Sequence, residues 1–93
     1  MASVRIGIVG DYNPDFVAHT TNNAALDHAA ARLGVPIEVE WLPTPSLTAP
    51  RALETLATFD GLWISAGSPY RDRDGAFAAI HFARERNRPM VAT

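Results

Sequence analysis

Gly61-Leu62-Trp63-Ile64-Ser65 is a short, nearly all-apolar run that passes directly into the turn formers Ala66-Gly67-Ser68-Pro69-Tyr70. Such a run reads as a strand buried on both faces, as the strands of parallel sheets are. Beyond the turn, Asp74 is placed to cap a helix to about Arg86, with Phe77, Ile80 and Ala83 or Arg84 on one stripe. Arg84, Arg86 and Arg88 crowd its C-terminal end, the favourable pole for cations. Pro89-Met90-Val91-Ala92-Thr93 then starts a further strand.

The same alternation extends towards the N-terminus. Val4-Arg5-Ile6-Gly7-Ile8-Val9-Gly10 reads as a central parallel strand, and Asp11-Tyr12-Asn13-Pro14-Asp15 as a turn. A helix is expected from about Thr20 to Leu33, capped by Thr20 or Thr21. Leu26, Ala29, Ala30 and Leu33 make its apolar face, and Gly34 ends it. Ile37 to Leu42 alternates apolar residues with Glu38 and Glu40, which suggests an edge or half-exposed strand. Pro43-Thr44-Pro45-Ser46 reads as loop, and Pro50 suits the first turn of a short helix with Leu53, Leu56 and Ala57 inward.

The order β-α-β-α-β-α-β predicts an α/β fold with right-handed crossovers and a parallel sheet. Three helices have four strands to cover, and the chain stops within an apolar strand. Each large apolar side chain left uncovered forgoes roughly 1.5–3 kcal/mol of burial. The expectation is therefore a chain that is incomplete, or half of something that pairs with another chain.

Bulk properties narrow the function classes. A chain of 93 residues with a net charge of -2 does not suit a nucleic-acid binder that works by phosphate neutralisation. No apolar stretch is long enough to span a bilayer, and the N-terminus lacks a signal-peptide pattern, so no membrane partner and a cytoplasmic location are expected. The chain has no cysteine, which excludes disulfides, thiolate metal sites and cysteine catalysis by these residues themselves. No metal or cofactor is expected.

In open parallel sheets ligands bind at the carboxyl ends of the strands. Gly10-Asp11-Tyr12, Ser65 to Arg73, and Thr93 with whatever follows it are placed there. A Gly at the end of a buried strand, as in Ala66-Gly67-Ser68, allows a sharp turn whose backbone N–H groups suit an oxyanion or carboxylate; the same residues also read as a plain βα turn. His28 and His81 lie within helices, where a solvated role fits, while His19 precedes the first helix near the strand ends, within reach of a ligand. Asp11 suggests the acidic pocket of receiver domains, but Ser65-Ala66-Gly67 occupies the place of the phosphoacceptor Asp. No G-x-G-x-x-G is present, and Asp11-Tyr12-Asn13-Pro14-Asp15 would repel the phosphate of a flavin. The Arg residues from Arg71 to Arg88 read as a solvated face with local Asp and Glu partners.

Leu62-Trp63-Ile64-Ser65-Ala66-Gly67-Ser68-Pro69-Tyr70, then Arg71-Asp72-Arg73-Asp74-Gly75, then Ala78-Ala79-Ile80-His81-Phe82-Ala83-Arg84-Glu85-Arg86 and Arg88-Pro89-Met90 resemble one stretch of the glutamine amidotransferase domain of CTP synthase. In that family a strand ends in Pro-Gly-Gly-Phe-Gly, and a Gly-started helix follows bearing Ala-Ile-x-Phe-Ala-Arg-Glu. A Pro-led strand then runs into a Gly-Ile-Cys-Leu-Gly nucleophile elbow. Val9-Gly10-Asp11-Tyr12 is similar to a Val-Gly-Lys-Tyr start and Ala25-Leu26-Asp27-His28 to Ala-Leu-Lys-His. Val39-Glu40-Trp41-Leu42 matches in the second strand.

The resemblance implies a flavodoxin-like three-layer sheet, with residues 1–93 as the N-terminal half of a single glutamine amidotransferase-like domain. It implies oxyanion and substrate-binding roles at Gly67, Ser68 and Pro69. The family's second turn Gly, a backbone donor, falls on Ser68, and Ala66, Pro69 and Tyr70 are further departures from the turn. The nucleophilic Cys would follow Thr93, and its His-Glu partners would come later. The implied chemistry is thiolate attack on a glutamine amide, ammonia release and thioester hydrolysis, which this chain cannot do alone. The implied partners are glutamine or a similar small amide, and the remaining half of the domain or a second copy. The alternative reading is a non-catalytic α/β binding or assembly module that uses its open sheet edge.

Overall fold

The computed structural model describes residues 3–65 and 71–92. Val4–Val9 (β1), Ile37–Leu42 (β2), Gly61–Ile64 (β3) and Met90–Ala92 (β4) form one parallel sheet in the order β2-β1-β3-β4. β2 is an edge strand, as the Glu38/Glu40 alternation predicts, and β1 is flanked on both sides. Val17–Leu33 (α1), Ala52–Leu56 (α2) and Arg73–Glu85 (α3) connect the strands, with a 3₁₀ turn over Thr44–Thr48.

The chain steps one way from β1 to β2 and the other way to β3 and β4. Right-handed crossovers then put α1 on one face of the sheet and α2 and α3 on the other. The expected flavodoxin-like three-layer α/β architecture is the one observed. Side chains alternate in register: Val9, Leu42, Leu62 and Ile64 point towards α2 and α3, while Ile8, Trp41, Trp63 and Val91 point the opposite way. The core lies on the first of these faces, where Val9, Leu42, Leu62 and Ile64 pack with Leu47, Leu56, Phe59, Ala76, Ala79, Phe82 and Ala83. Gly7 suits this face, because a Cβ there would press on Leu42, Phe59 and Leu62.

Several helix details differ from the sequence-based expectation. α1 starts at Val17, with Phe16 at the N-cap and no side-chain cap; neither Thr20 nor Thr21 caps it. The first turn is set by His19 and Thr20 N–H groups donating to the Phe16 carbonyl, and by the Phe16 ring meeting the His19 ring edge-on. Tertiary packing here replaces a polar cap. Leu33 is exposed, Leu26, Ala29 and Ala30 are half-buried, and the buried residues of α1 are His19 and Asn22. Gly34 ends the helix in the left-handed region at φ 65°, as expected.

The segment expected as loop at Pro43–Ser46 enters the 3₁₀ turn, which buries Thr44 and Leu47. α2 begins at Ala52 and is a single short turn, so Ala52 and Leu56 face inward while Leu53 and Ala57 are exposed. The cap of α3 is Asp72, whose carboxylate accepts the Asp74 N–H at 3.1 Å, in place of Asp74 itself. Its buried stripe is Ala76, Ala79, Phe82 and Ala83, with Phe77 turned to solvent. Small residues on that stripe let the helix approach the 3₁₀ turn so closely that a Cβ at Gly75 would run into the Thr44 carbonyl.

Candidate functional site

The reversal of strand order between β1 and β3 opens a crevice at their carboxyl ends, the usual ligand position in such sheets. Gly67, Ser68 and Pro69, the expected oxyanion and substrate-binding residues, lie outside the described residues, as does Thr93. The structure places the residues on either side, Ser65 and Arg71. Ser65 leaves β3 fully buried, its N–H donating to the Val9 carbonyl at 3.0 Å. Its hydroxyl accepts from the Asn22 side-chain amide at 2.7 Å, a bond buried on both sides.

On the other side of residues 66–70, the Arg71 N–H donates to Asp11 Oδ2 at 2.9 Å. Asp11 also accepts the Thr44 N–H at 3.0 Å and the Thr44 hydroxyl at 2.7 Å. The Thr44 hydroxyl in turn accepts the Asp72 N–H at 2.8 Å. Burial works to raise the Asp11 carboxyl. The hydrogen bonds from the Arg71 N–H and from the hydroxyl and N–H of Thr44, together with the Arg71 charge, outweigh it and hold the group below its usual value. The acidic residue after β1 is thus an internal anchor and not a receiver-type pocket.

Beside this anchor an open crevice of about 510 Å³ is lined by Asp11, Tyr12, Asn13, Pro14, Pro43 and Arg71. Of these, Tyr12 belongs to an aromatic cluster. Tyr12 and Trp41 lie with ring centroids 4.8 Å apart, Tyr12 stacks on His19 at 6.1 Å, and His19 meets Trp41 at 4.8 Å. The Trp41 indole N–H donates to Asn23 Oδ1 at 2.8 Å.

His19 belongs to α1 and does not precede it. It is 2 % exposed, and its Nδ1 accepts the Asn13 N–H at 3.0 Å. That acceptor requires an unprotonated Nδ1. The ring fastens the β1–α1 loop and packs against Tyr12 and Trp41.

His28 and His81 are exposed on their helices, with His81 Nε2 3.1 Å from Glu85 Oε1. Within the basic stretch, Arg86 lies over the Phe82 ring at 5.5 Å and Arg88 donates to the Ala57 carbonyl at 3.2 Å. Backbone and ring partners thus serve these two cations in place of the expected Asp and Glu. Among the described residues there is no cluster of His, Asp and Glu able to hold a metal ion, and no helix long and apolar enough to cross a membrane.

Sequence reasoning missed Asn22 and Thr44. A polar residue at a buried helix position, in step with Leu26 and Ala29, was the available signal for Asn22. Thr44 carries no local signal, since its importance depends on Asp11 and Asp72, 33 and 28 residues away.

No family model matches the chain. It is 36 % identical over 86 residues to CTP synthase of Staphylococcus carnosus (strain TM300), a match covering 92 % of this chain and 16 % of that protein. It is 33 % identical over 87 residues to CTP synthase of Staphylococcus aureus (strain JH9), covering 94 % of this chain and 16 % of the other. The chain thus spans about a sixth of the length of the curated relatives it matches. The solved glutaminase domain of Trypanosoma brucei CTPS with bound acivicin superposes with a TM-score of 0.78 at 30 % identity, over 97 % of this chain and 36 % of that one. The chain is thus similar in sequence to CTP synthases and in fold to one stretch of a glutaminase domain.

Proposed function

We propose that this chain forms the N-terminal, substrate-binding half of a single glutamine amidotransferase-like domain, residues 1–93, in a CTP synthase-like enzyme of the cytoplasm. In the complete protein, glutamine or a similar small amide occupies the crevice at the carboxyl ends of β1 and β3. The backbone N–H groups around Gly67, Ser68 and Pro69 bind the substrate and the oxyanion. A Cys supplied after Thr93 attacks the amide carbonyl. Ammonia leaves, and water hydrolyses the thioester to glutamate and free thiolate. Because the 93 residues contain no Cys, they are inactive alone. The remaining half of the domain, or a second copy, completes the site, and no resident cofactor is needed for this hydrolase step. A ligase step using the ammonia would belong to a separate domain.

The observation that carries this reading is the superposition of 97 % of the chain on a glutaminase domain at 30 % identity. The anchored Ser65 and Arg71, on either side of residues 66–70, are consistent with it. The test starts from the intact mass of the purified protein, set against 10.1 kDa for these residues and against the length of its gene. The longest polypeptide that the gene encodes is then assayed for ammonia release from glutamine. Release that disappears when the Cys after Thr93 is changed to Ala supports the reading, and a gene with no Cys at that position sinks it.

A second reading, a non-catalytic binding or assembly module, is favoured by one observation. An apolar hollow of about 320 Å³ lined by Ile6, Leu26, Trp63, Pro89, Met90 and Val91 lies open beside β4. A chain whose gene ends at Thr93 and which sediments as an oligomer would support that reading over catalysis.

A further inference from the structure

Asp11 joins three parts of the chain that are distant in sequence: the end of β1, the 3₁₀ turn 33 residues on, and the start of α3 60 residues on. An ionised carboxylate offers about four acceptor positions, and three of those on Asp11 are filled by the Thr44 N–H, the Thr44 hydroxyl and the Arg71 N–H. The Thr44 hydroxyl gives its proton to Asp11, which leaves its lone pairs to accept the Asp72 N–H. Asp72 caps α3 through Asp74, and Gly75 lets that helix close on Thr44. The result is an unbroken relay from one carboxylate to the first turn of α3.

We propose that Asp11 is the positioning residue of the crevice beside it, its carboxylate holding Arg71, the 3₁₀ turn and the start of α3 against the carboxyl end of β1. The proposal rests on the reading of that crevice as substrate-binding. Asp11 acts through the Arg71 backbone and Thr44, so it sets where Arg71 and the 3₁₀ turn stand along the crevice without taking part in the reaction. The role requires the charged form. A protonated carboxyl turns one acceptor into a donor, and Asn brings an NH₂ group to face N–H or O–H donors. The charged and titratable groups around it are few. Arg71 favours the carboxylate, the Asp72 carboxylate is engaged by the Asp74 N–H, and Asp15 lies in the same loop. On the α1 side His19 contacts Tyr12 and the Asn13 N–H, and the 3₁₀ turn carries no ionisable residue.

The test is backbone amide hydrogen exchange by NMR on the full chain, read at Arg71 and Asp72. In Asp11→Asn both amides are expected to exchange about ten- to a hundredfold faster than in the unmodified chain, with Ile8 and Leu62 unchanged. Thr44→Val is expected to release the Asp72 amide and spare Arg71, whose acceptor is Asp11 itself. In the unmodified chain, acidification should show a single step in the Arg71 amide shift as the carboxylate protonates, a step absent from Asp11→Asn.

Equal exchange at Arg71 and Asp72 in the two proteins overturns the proposal. If Asp11→Asn does not fold, the titration of the unmodified chain decides alone, and an Arg71 amide with no acid step overturns it. These readouts need no substrate, so their failure removes the role of Asp11 and leaves the glutaminase reading intact. A complete protein that releases no ammonia from glutamine removes that reading, and with it the site that Asp11 would serve.

Discussion

Under α2 and α3 the sheet buries Val9, Leu42, Leu62 and Ile64 against Leu56, Phe59, Ala79 and Phe82, whereas under α1 the buried helix residues are His19 and Asn22, and Val39 and Val91 stay exposed. The first face is an apolar core made close by alanines and by Gly75. The second is held by hydrogen bonds and ring contacts concentrated at one end, where Asn22 meets Ser65 and His19 meets Trp41. Hydrophobic burial is non-directional and supplies stability, while buried polar contacts fix geometry and are costly to break. The difference teaches that one face holds the fold together and the other sets out the strand ends where the candidate site lies.

The sharpest way to break this comparison is Phe59→Ala. Phe59 is 2 % exposed within the core and carries the Arg5 guanidinium 4.7 Å from its ring. The substitution should cost about 3–5 kcal/mol in urea unfolding, enough to unfold most of a chain this small. Gly75→Ala should follow, costing about 3 kcal/mol, because the obstacle is the Thr44 backbone and cannot swing aside. A stability gain there, as expected for Gly→Ala in an unobstructed helix, would show that α3 does not close on the 3₁₀ turn.

On the other face Asn22→Ala should cost about 1–3 kcal/mol, through loss of the buried bond to Ser65. Its distinguishing sign is a shift of the Ser65 amide resonance with the Phe82 and Leu56 methyl and ring signals unmoved. If core signals move equally, the two faces are not separable.

Acid should act through Asp11. Its pKa is lower in the folded chain than in the unfolded one, so its contribution to stability is complete above the unfolded value. That contribution is lost as pH falls through the folded value. Unfolding curves of the unmodified chain and Asp11→Asn should therefore converge on acidification and separate towards neutrality. The smallest effect is expected at Val91, which is 59 % exposed: Val91→Ser should change stability by no more than about 0.5 kcal/mol. A larger loss, dependent on protein concentration, would show that a partner covers this face.

Much of the fold was legible locally. The β-branched run at β1, the Glu38/Glu40 alternation of β2 and the stop at Gly34 each depend on residues within a few positions of one another. The helix faces were read less well. Asp74 is the expected cap of α3 and Phe77 an expected stripe residue, but Asp72 caps the helix and the inward stripe runs through Ala76, Ala79 and Phe82. For α1 an apolar face through Leu33 was expected, yet polar His19 and Asn22 are the buried positions, since their partners come from β2 and from the residues that follow β1 and β3.

By itself, then, the sequence determined the α/β class, the parallel crossovers and the resemblance to a glutaminase domain, because periodicity, turn chemistry and motif spacing are written in neighbouring residues. Only the tertiary structure decided that Asp11 is an anchor, that Thr44 is buried and relays it to Asp72, and that His19 is a buried, packed ring within α1. A carboxylate's role is set by the donors that surround it. Those donors reach Asp11 from 33 and 60 residues away, once the crossovers have brought the strand ends together.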